Sequence, residues 1–247
     1  MKSLLLAISF LTILPVGKGH AVEEKALARS MAFYPAVGLL IGLLLCLGYY
    51  LFSLLFPRPI VLWLTIGLLA FLTRGLHLDG WADTLDGLAT GGTRQKILEV
   101  MKDSRIGTFG VIGLILLLGG KYLCLDQISE PAIFYAFPLM TALGRNSMVL
   151  VCYRSAYARS SGGLAKPFAD HLTLRELLIS SISALGLATG LMGLRGVLAF
   201  VGTSLFALLY RLYFIRRLGG VTGDILGGAN ELSELLFLFL ILILGGS

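Results

Sequence analysis

The chain is governed by a succession of apolar runs of bilayer-crossing length. Residues 4–16, 31–56, 60–76, 107–125, 132–153, 177–194, 196–215 and 232–244 each hold at most one charged residue. About 20 apolar residues in a helix cover the ~30 Å of hydrocarbon, and a backbone in lipid must bond its own polar groups. The sequence therefore predicts an all-α, polytopic integral membrane helix bundle of about seven to eight transmembrane segments, the first and last runs being short. Only 14% of the 247 residues are charged, against roughly a quarter in soluble domains. No repeat or low-complexity stretch divides the chain, and residues 1–247 read as a single transmembrane domain.

The connecting segments then divide into two sets. Residues 16–30, 74–105, 154–176 and 216–234 contain 14 of the 20 Lys and Arg residues and 12 of the 14 acids, whereas the alternate set holds only Lys2, Arg58 and Arg195 among its bases. Positive charge stays on the cytoplasmic side, so the first set is expected there, in the cytoplasmic (inner) membrane of a multi-pass protein. Topology also accounts for the net charge of +6, which excludes a nucleic-acid partner and leaves membrane lipid as the surrounding one. Lys2 with the apolar residues 3–16 resembles a signal peptide, but Glu23, Glu24 and Lys25 precede the nearest A-x-A, so its retention is expected.

Several residues inside the runs carry information. Gly38-x-x-x-Gly42 and Gly186-x-x-x-Gly190 have the small-residue spacing of close helix packing in lipid. Pro138 is expected to kink its helix. Cys46, Cys124 and Cys152 stand singly, as structural thiols do. Arg145 beside Asn146 either faces a polar cavity or an anion, or snorkels to the surface; Lys121 and Arg211 read as snorkelling or paired.

Chemistry concentrates in three stretches. In Arg74-Gly-Leu-His-Leu-Asp-Gly-Trp-Ala-Asp-Thr-Leu-Asp-Gly87, a helix turning ~100° per residue places Asp83 ~40° from Asp79 and Asp86 ~20° to the other side. Three carboxylates on one face repel one another unless a cation neutralises them, and oxygen-only ligands favour Mg²⁺, Mn²⁺ or Ca²⁺. A solvated helix start with three unrelated acids is the alternative, weakened by there being only 14 acids in the chain. Met101-Lys-Asp-Ser-Arg-Ile-Gly-Thr-Phe-Gly110 runs into an apolar helix, where the helix N-terminus with Lys102 and Arg105 suits phosphate, or where the two bases merely anchor a membrane boundary. In the third, Gly219 to Glu234, Asp224 and Glu231 share a face if the segment is helical, with Glu234 ~60° further round. His77 alone reads as a packed residue, and Arg159, Lys166 and His171 as loop bases that either touch phosphate or merely obey topology. Acids for Mg²⁺ beside bases for phosphate are what phosphoryl-type transfer from a pyrophosphate needs; no P-loop is present.

These motifs resemble cobalamin synthase, the adenosylcobinamide-GDP ribazoletransferase family. The match runs through Phe10-Leu-Thr-Ile-Leu-Pro15, Phe33-Tyr-Pro35-x-x-Gly38, Gly75 to Gly87, Met101 to Gly110, Gly219 to Gly228 and Glu231-Leu-Ser-Glu234, with Trp81, Leu85 and Gly228 departing from the pattern. The resemblance implies a Mg²⁺-dependent membrane transferase that joins adenosylcobinamide-GDP to α-ribazole, or its 5′-phosphate, and releases GMP, the last assembly step of the cobamide coenzyme. Asp79, Asp83, Asp86, Asp224 and Glu231 are the expected metal ligands, with Asp83 as the catalytic base. His77, Lys102, Asp103, Arg105, Arg145, Thr222 and Glu234 are the expected substrate-binding residues. A homo-oligomer is compatible with this reading. Two alternatives stand beside it. One is a CDP-alcohol phosphotransferase-like lipid enzyme, whose D-x-x-D-G-x-x-A-R pattern is missing here; the other is an ion-coupled transporter, against which the acids gather on one face.

Overall fold

The computed structural model describes residues 2–14, 16 and 23–245. Pro15 and the first-loop segment 17–22 with Lys18 lie outside the described residues. Eleven α-helices follow in order: α1 Lys2–Leu11, α2 Glu24–Ser30, α3 Tyr34–Ser53, α4 Arg58–Leu72, α5 Leu76–Ala89, α6 Arg94–Val100, α7 Thr108–Gln127, α8 Glu130–Cys152, α9 Lys166–His171, α10 Leu174–Leu218 and α11 Gly223–Ile243. Large apolar side chains such as Leu47, Trp63, Leu116 and Leu205 stand exposed on them, as lipid-facing residues do.

The helix α8 is the axis of the bundle. Every residue from Ala136 to Val149 is buried, and α3, α10 and α11 pack around it. A helix buried on all sides belongs at the centre. Its contact with α3 depends on the predicted Gly38 and Gly42: a Cβ on Gly38 would lie 2.5 Å from Thr141 O, and one on Gly42 would collide with Pro138. Thr141 Oγ1 donates to Gly38 O at 2.6 Å. Pro138 has no N–H for the carbonyl of Phe134, and Cys46 Sγ donates to that oxygen at 3.5 Å. Gly186 and Gly190 differ from expectation: nothing lies within 4 Å of a Cβ there, so they do not form a close helix contact.

Among the described residues, four helical stretches are long and apolar enough to cross a membrane: Glu24–Ser53, Thr108–Gln127, Leu174–Leu218 and Gly223–Ile243. The pair Arg58–Leu72 and Leu76–Ala89, bent by 88°, makes a fifth if counted as one span. This is fewer than the expected seven to eight. The helix α1 is only ten residues long, α8 carries polar residues through its middle, and α10 joins two of the expected runs. Gly193, at φ 55°, interrupts α10, and Gly196 packs against the carbonyl of Ala188. Eight residues of straight helix would hold these two ~12 Å apart, so the chain reverses at Gly193 into two arms, 174–192 and 194–218.

The loops that the charge pattern grouped share one end of the bundle. Arg74 donates to Ser9 O and Phe10 O, Arg94 to Ala158 O, Arg217 to Gly92 O, and Arg159 to Met101 O. At the other end, Arg58 binds the carbonyls of Leu125, Asp126 and Ile128, neutralising the C-terminus of α7, and pairs with Glu130.

Candidate functional site: an acidic junction flanked by two pockets

The site begins at the bend between α4 and α5. Arg74 and Gly75 take left-handed φ values of 55° and 65°, which turns the chain through 88° and lays α5 across the N-terminal ends of α7 and α11. The crossing with α11 is close because glycine faces it from both sides. A Cβ on Gly80 would lie 2.9 Å from Asp224 Cα, and one on Gly227 would lie 3.2 Å from His77 Cα. Asp79 and Asp83 of α5 are thereby brought beside Asp224 in the first turn of α11.

Three of the five expected metal ligands meet there: Asp79 is exposed, and Asp83 and Asp224 are half-buried. Burial first, then the charges of Asp79 and Asp224, push the Asp83 carboxyl up to about 7, against a partial pull downward from Arg159. Thr222 caps α11 by accepting from Ile225 N at 3.3 Å, and its hydroxyl donates to Asp224 Oδ2 at 3.1 Å, so it holds this carboxylate in place.

The other two expected ligands are engaged by the chain itself, although Asp86 stays close enough to Asp83 to add to its upward shift. Asp86 accepts from Gly107 N at 2.6 Å and Gly110 N at 2.8 Å. The anion at the N-terminus of α7, where phosphate was expected, is the chain's own carboxylate. Glu231 lies seven residues beyond Asp224, about 10 Å deeper along the helix. It is buried in an ion cluster with Lys121 at 2.6 Å, while Glu234 receives Lys121 at 2.5 Å and also binds Arg145. Asn230 donates to both glutamates at 3.1 Å. Arg145 therefore faces buried acids, and Glu234 serves it and Lys121. Among the described residues, no three His, Cys, Asp or Glu side chains form a closed metal cage. Mg²⁺ needs only one or two carboxylates when waters and phosphate oxygens complete its shell, a number that Asp79 and Asp83 can supply beside Asp224.

Sequence reasoning left Arg159 between a phosphate contact and mere topology, and in the structure it stands beside Asp224. Its Nη2 donates to Asp224 Oδ2 at 2.6 Å and to Met101 O at 3.1 Å. A short β-bridge aims it: Ala158 N donates to Val221 O and Val221 N to Ala156 O, both at 2.9 Å. Gly220 lies directly against Ala156 O, where no Cβ fits. The signal available in the sequence was the Gly219-Gly220 pair, which announces a close backbone approach without naming its partner.

Arg159 forms a wall between two pockets. One is an open basic cleft of about 410 Å³, lined by Arg94, Lys102, Arg159, Ser160 and Ser161. The other, about 230 Å³, is lined chiefly by aromatic and aliphatic side chains and carries Asp79 and Asp224 at its edge. Of the expected phosphate residues, Lys102 lines the basic cleft, whereas Arg105 extends into solvent and is paired with Asp103 at 2.7 Å. His77 is buried against α11 and lines the smaller pocket.

Comparison with known proteins gives this arrangement its family. A model described as cobalamin-5-phosphate synthase, CobS, matches residues 3–242. The adenosylcobinamide-GDP ribazoletransferase of Geotalea daltonii is 39% identical, over 97% of this chain and 96% of the relative. Those of Alkaliphilus metalliredigens and Klebsiella pneumoniae are 36% and 38% identical, covering 100% and 98% of this chain and 97% and 100% of theirs. No solved structure matches the chain. Matched over nearly its whole length, the chain belongs to the CobS family of cobalamin-5-phosphate synthases.

Proposed function

We propose that this chain joins adenosylcobinamide-GDP to α-ribazole, or to α-ribazole 5′-phosphate, giving adenosylcobalamin, or its phosphate, and GMP. The observation that carries this reading is the meeting of Asp79, Asp83 and Asp224 beside Arg159, contributed by segments far apart in a chain that ribazoletransferases match from end to end. In the transfer, a hydroxyl oxygen of the ribazole forms a bond to the phosphorus attached to cobinamide. The bond from that phosphorus to the bridging oxygen breaks, and GMP leaves with the bridging oxygen.

Asp83 takes the hydroxyl proton: its half-buried carboxyl stands beside Asp79 and Asp224, whose charges raise its affinity for a proton. Arg159 and Lys102, with Arg94 beside them, meet the charge on the departing phosphate. Asp79 and Asp224 would hold Mg²⁺, with Asp83 adjacent, and the ion would supply neutralisation of the pyrophosphate oxygens. Seven spans are the count that fits: α3, α4 with its turn into α5, α7, α8, the two arms of α10, and α11. The shared loop end is then cytoplasmic.

The deciding experiment is GMP release by purified, detergent-solubilised protein given both substrates, with and without Mg²⁺. Release that requires all three, and that Asp83→Asn abolishes, is the expected result. Near-normal turnover by Asp83→Asn overturns the assignment of the base.

A further inference from the structure

The smaller pocket does not resemble a phosphate site. Phe10 and Phe168 meet edge to face at 5.1 Å, Tyr34 approaches Phe168 at 6.3 Å, and Tyr157 and Met148 complete the apolar wall. Aromatic edges and a thioether are good partners for the face of a flat ring. A volume of about 230 Å³ falls below the roughly 300–1,000 Å³ typical of drug-sized ligands, so the pocket suits one bicyclic base and excludes a corrinoid ring.

A second observation is independent of these contacts. Asp79, Asp224 and Arg159 stand at the pocket edge, so a group seated inside carries its substituents to the acidic junction.

We propose that this pocket receives the bicyclic aromatic base of the acceptor nucleoside against its aromatic wall, with the sugar hydroxyl left at the edge beside Asp79. The inference rests on the transferase reading and deepens it: base choice is set by Phe10, Tyr34 and Phe168, while the basic cleft beyond Arg159 is left to the guanylyl phosphate.

Leu164, 78% exposed at the pocket mouth, allows a test that does not disturb the core. Leu164→Trp should raise the KM for α-ribazole about tenfold or more, with the KM for adenosylcobinamide-GDP unchanged. Equilibrium dialysis of α-ribazole alone against the solubilised protein should show binding that Leu164→Trp abolishes. A rise confined to the KM for adenosylcobinamide-GDP, or unaltered α-ribazole binding in Leu164→Trp, overturns the proposal. Should the wild type bind α-ribazole, lose it in Leu164→Trp, and yet release no GMP, the pocket assignment stands and the transferase reading falls.

Discussion

Gly80 lies against Asp224 so closely that a Cβ on the glycine would stand 2.9 Å from the Cα of the aspartate. This contact between α5 and α11 sets the distance from Asp224 to Asp79 and Asp83. Backbone cannot retreat as the tip of a side chain can, so Gly80→Ala must part the two helices. Overpacking of this kind typically costs about 1–3 kcal/mol. The variant should melt at lower temperature and lose most of its GMP release, because the acidic junction opens. Unchanged activity in a folded Gly80→Ala protein would remove the junction from the mechanism.

Much of this arrangement was legible in the sequence and some was not. The apolar runs and the charge asymmetry placed the loops at a common end, and i, i+4 spacing put Asp79 and Asp83 on one face. Spacing gives a face but no depth. Asp224 and Glu231 share a side of α11, yet one stands at the junction and the other sits two turns inside, neutralised by Lys121 from 110 residues away. Asp86 has the spacing of a ligand, but the N–H groups that occupy it come from the later stretch at Gly107 and Gly110. The bend at Gly75 escaped as well, since one glycine after an apolar run does not announce a turn of 88°. The departures from the family pattern prove to be neighbours: Trp81 packs beside Gly228 and donates to Gly113 O, and Gly113 leaves room for Leu85.

The raised Asp83 carboxyl makes stability and metal binding depend on pH. An unfolded Asp titrates near 3.8 and this one at about 7, so between those values the native state holds the additional proton. Stability of the metal-free protein should therefore fall as pH rises through that window. A divalent cation at the junction offsets the charge that appears. Mg²⁺ should raise the melting temperature more at about pH 8 than at about pH 6, where the proton competes with it. Thermal unfolding with Mg²⁺ and with a chelator at both pH values checks this, and equal shifts would count against an ion beside Asp83.

Lys121 neutralises two buried glutamates at once. Lys121→Met leaves Glu231 and Glu234 facing Arg145 alone, and removing one partner from a buried ion cluster typically costs about 3–5 kcal/mol. Expression and melting temperature should both drop, and the double variant Lys121→Met with Glu231→Gln should recover part of the loss by restoring charge balance. A single variant as stable as wild type would show that the cluster contributes little to the bundle.

Asp86 separates a structural carboxylate from a metal ligand. Its two oxygens accept the first N–H groups of α7 and face the positive end of that helix dipole. Asp86→Ala should destabilise the protein by about 1–2 kcal/mol, the usual worth of a strong cap. Asp86→Asn retains one acceptor and should lose less. If the carboxylate is only a cap, the Mg²⁺ concentration that gives half-maximal GMP release is the same in Asp86→Asn as in wild type, whereas Asp79→Asn raises it about tenfold, the equivalent of ~1.4 kcal/mol of ion binding. A comparable rise in Asp86→Asn would mean that the substrate complex draws Asp86 off the helix end and onto the ion, in which case α7 should loosen measurably, by amide hydrogen exchange at Gly107 and Gly110, when both substrates are bound.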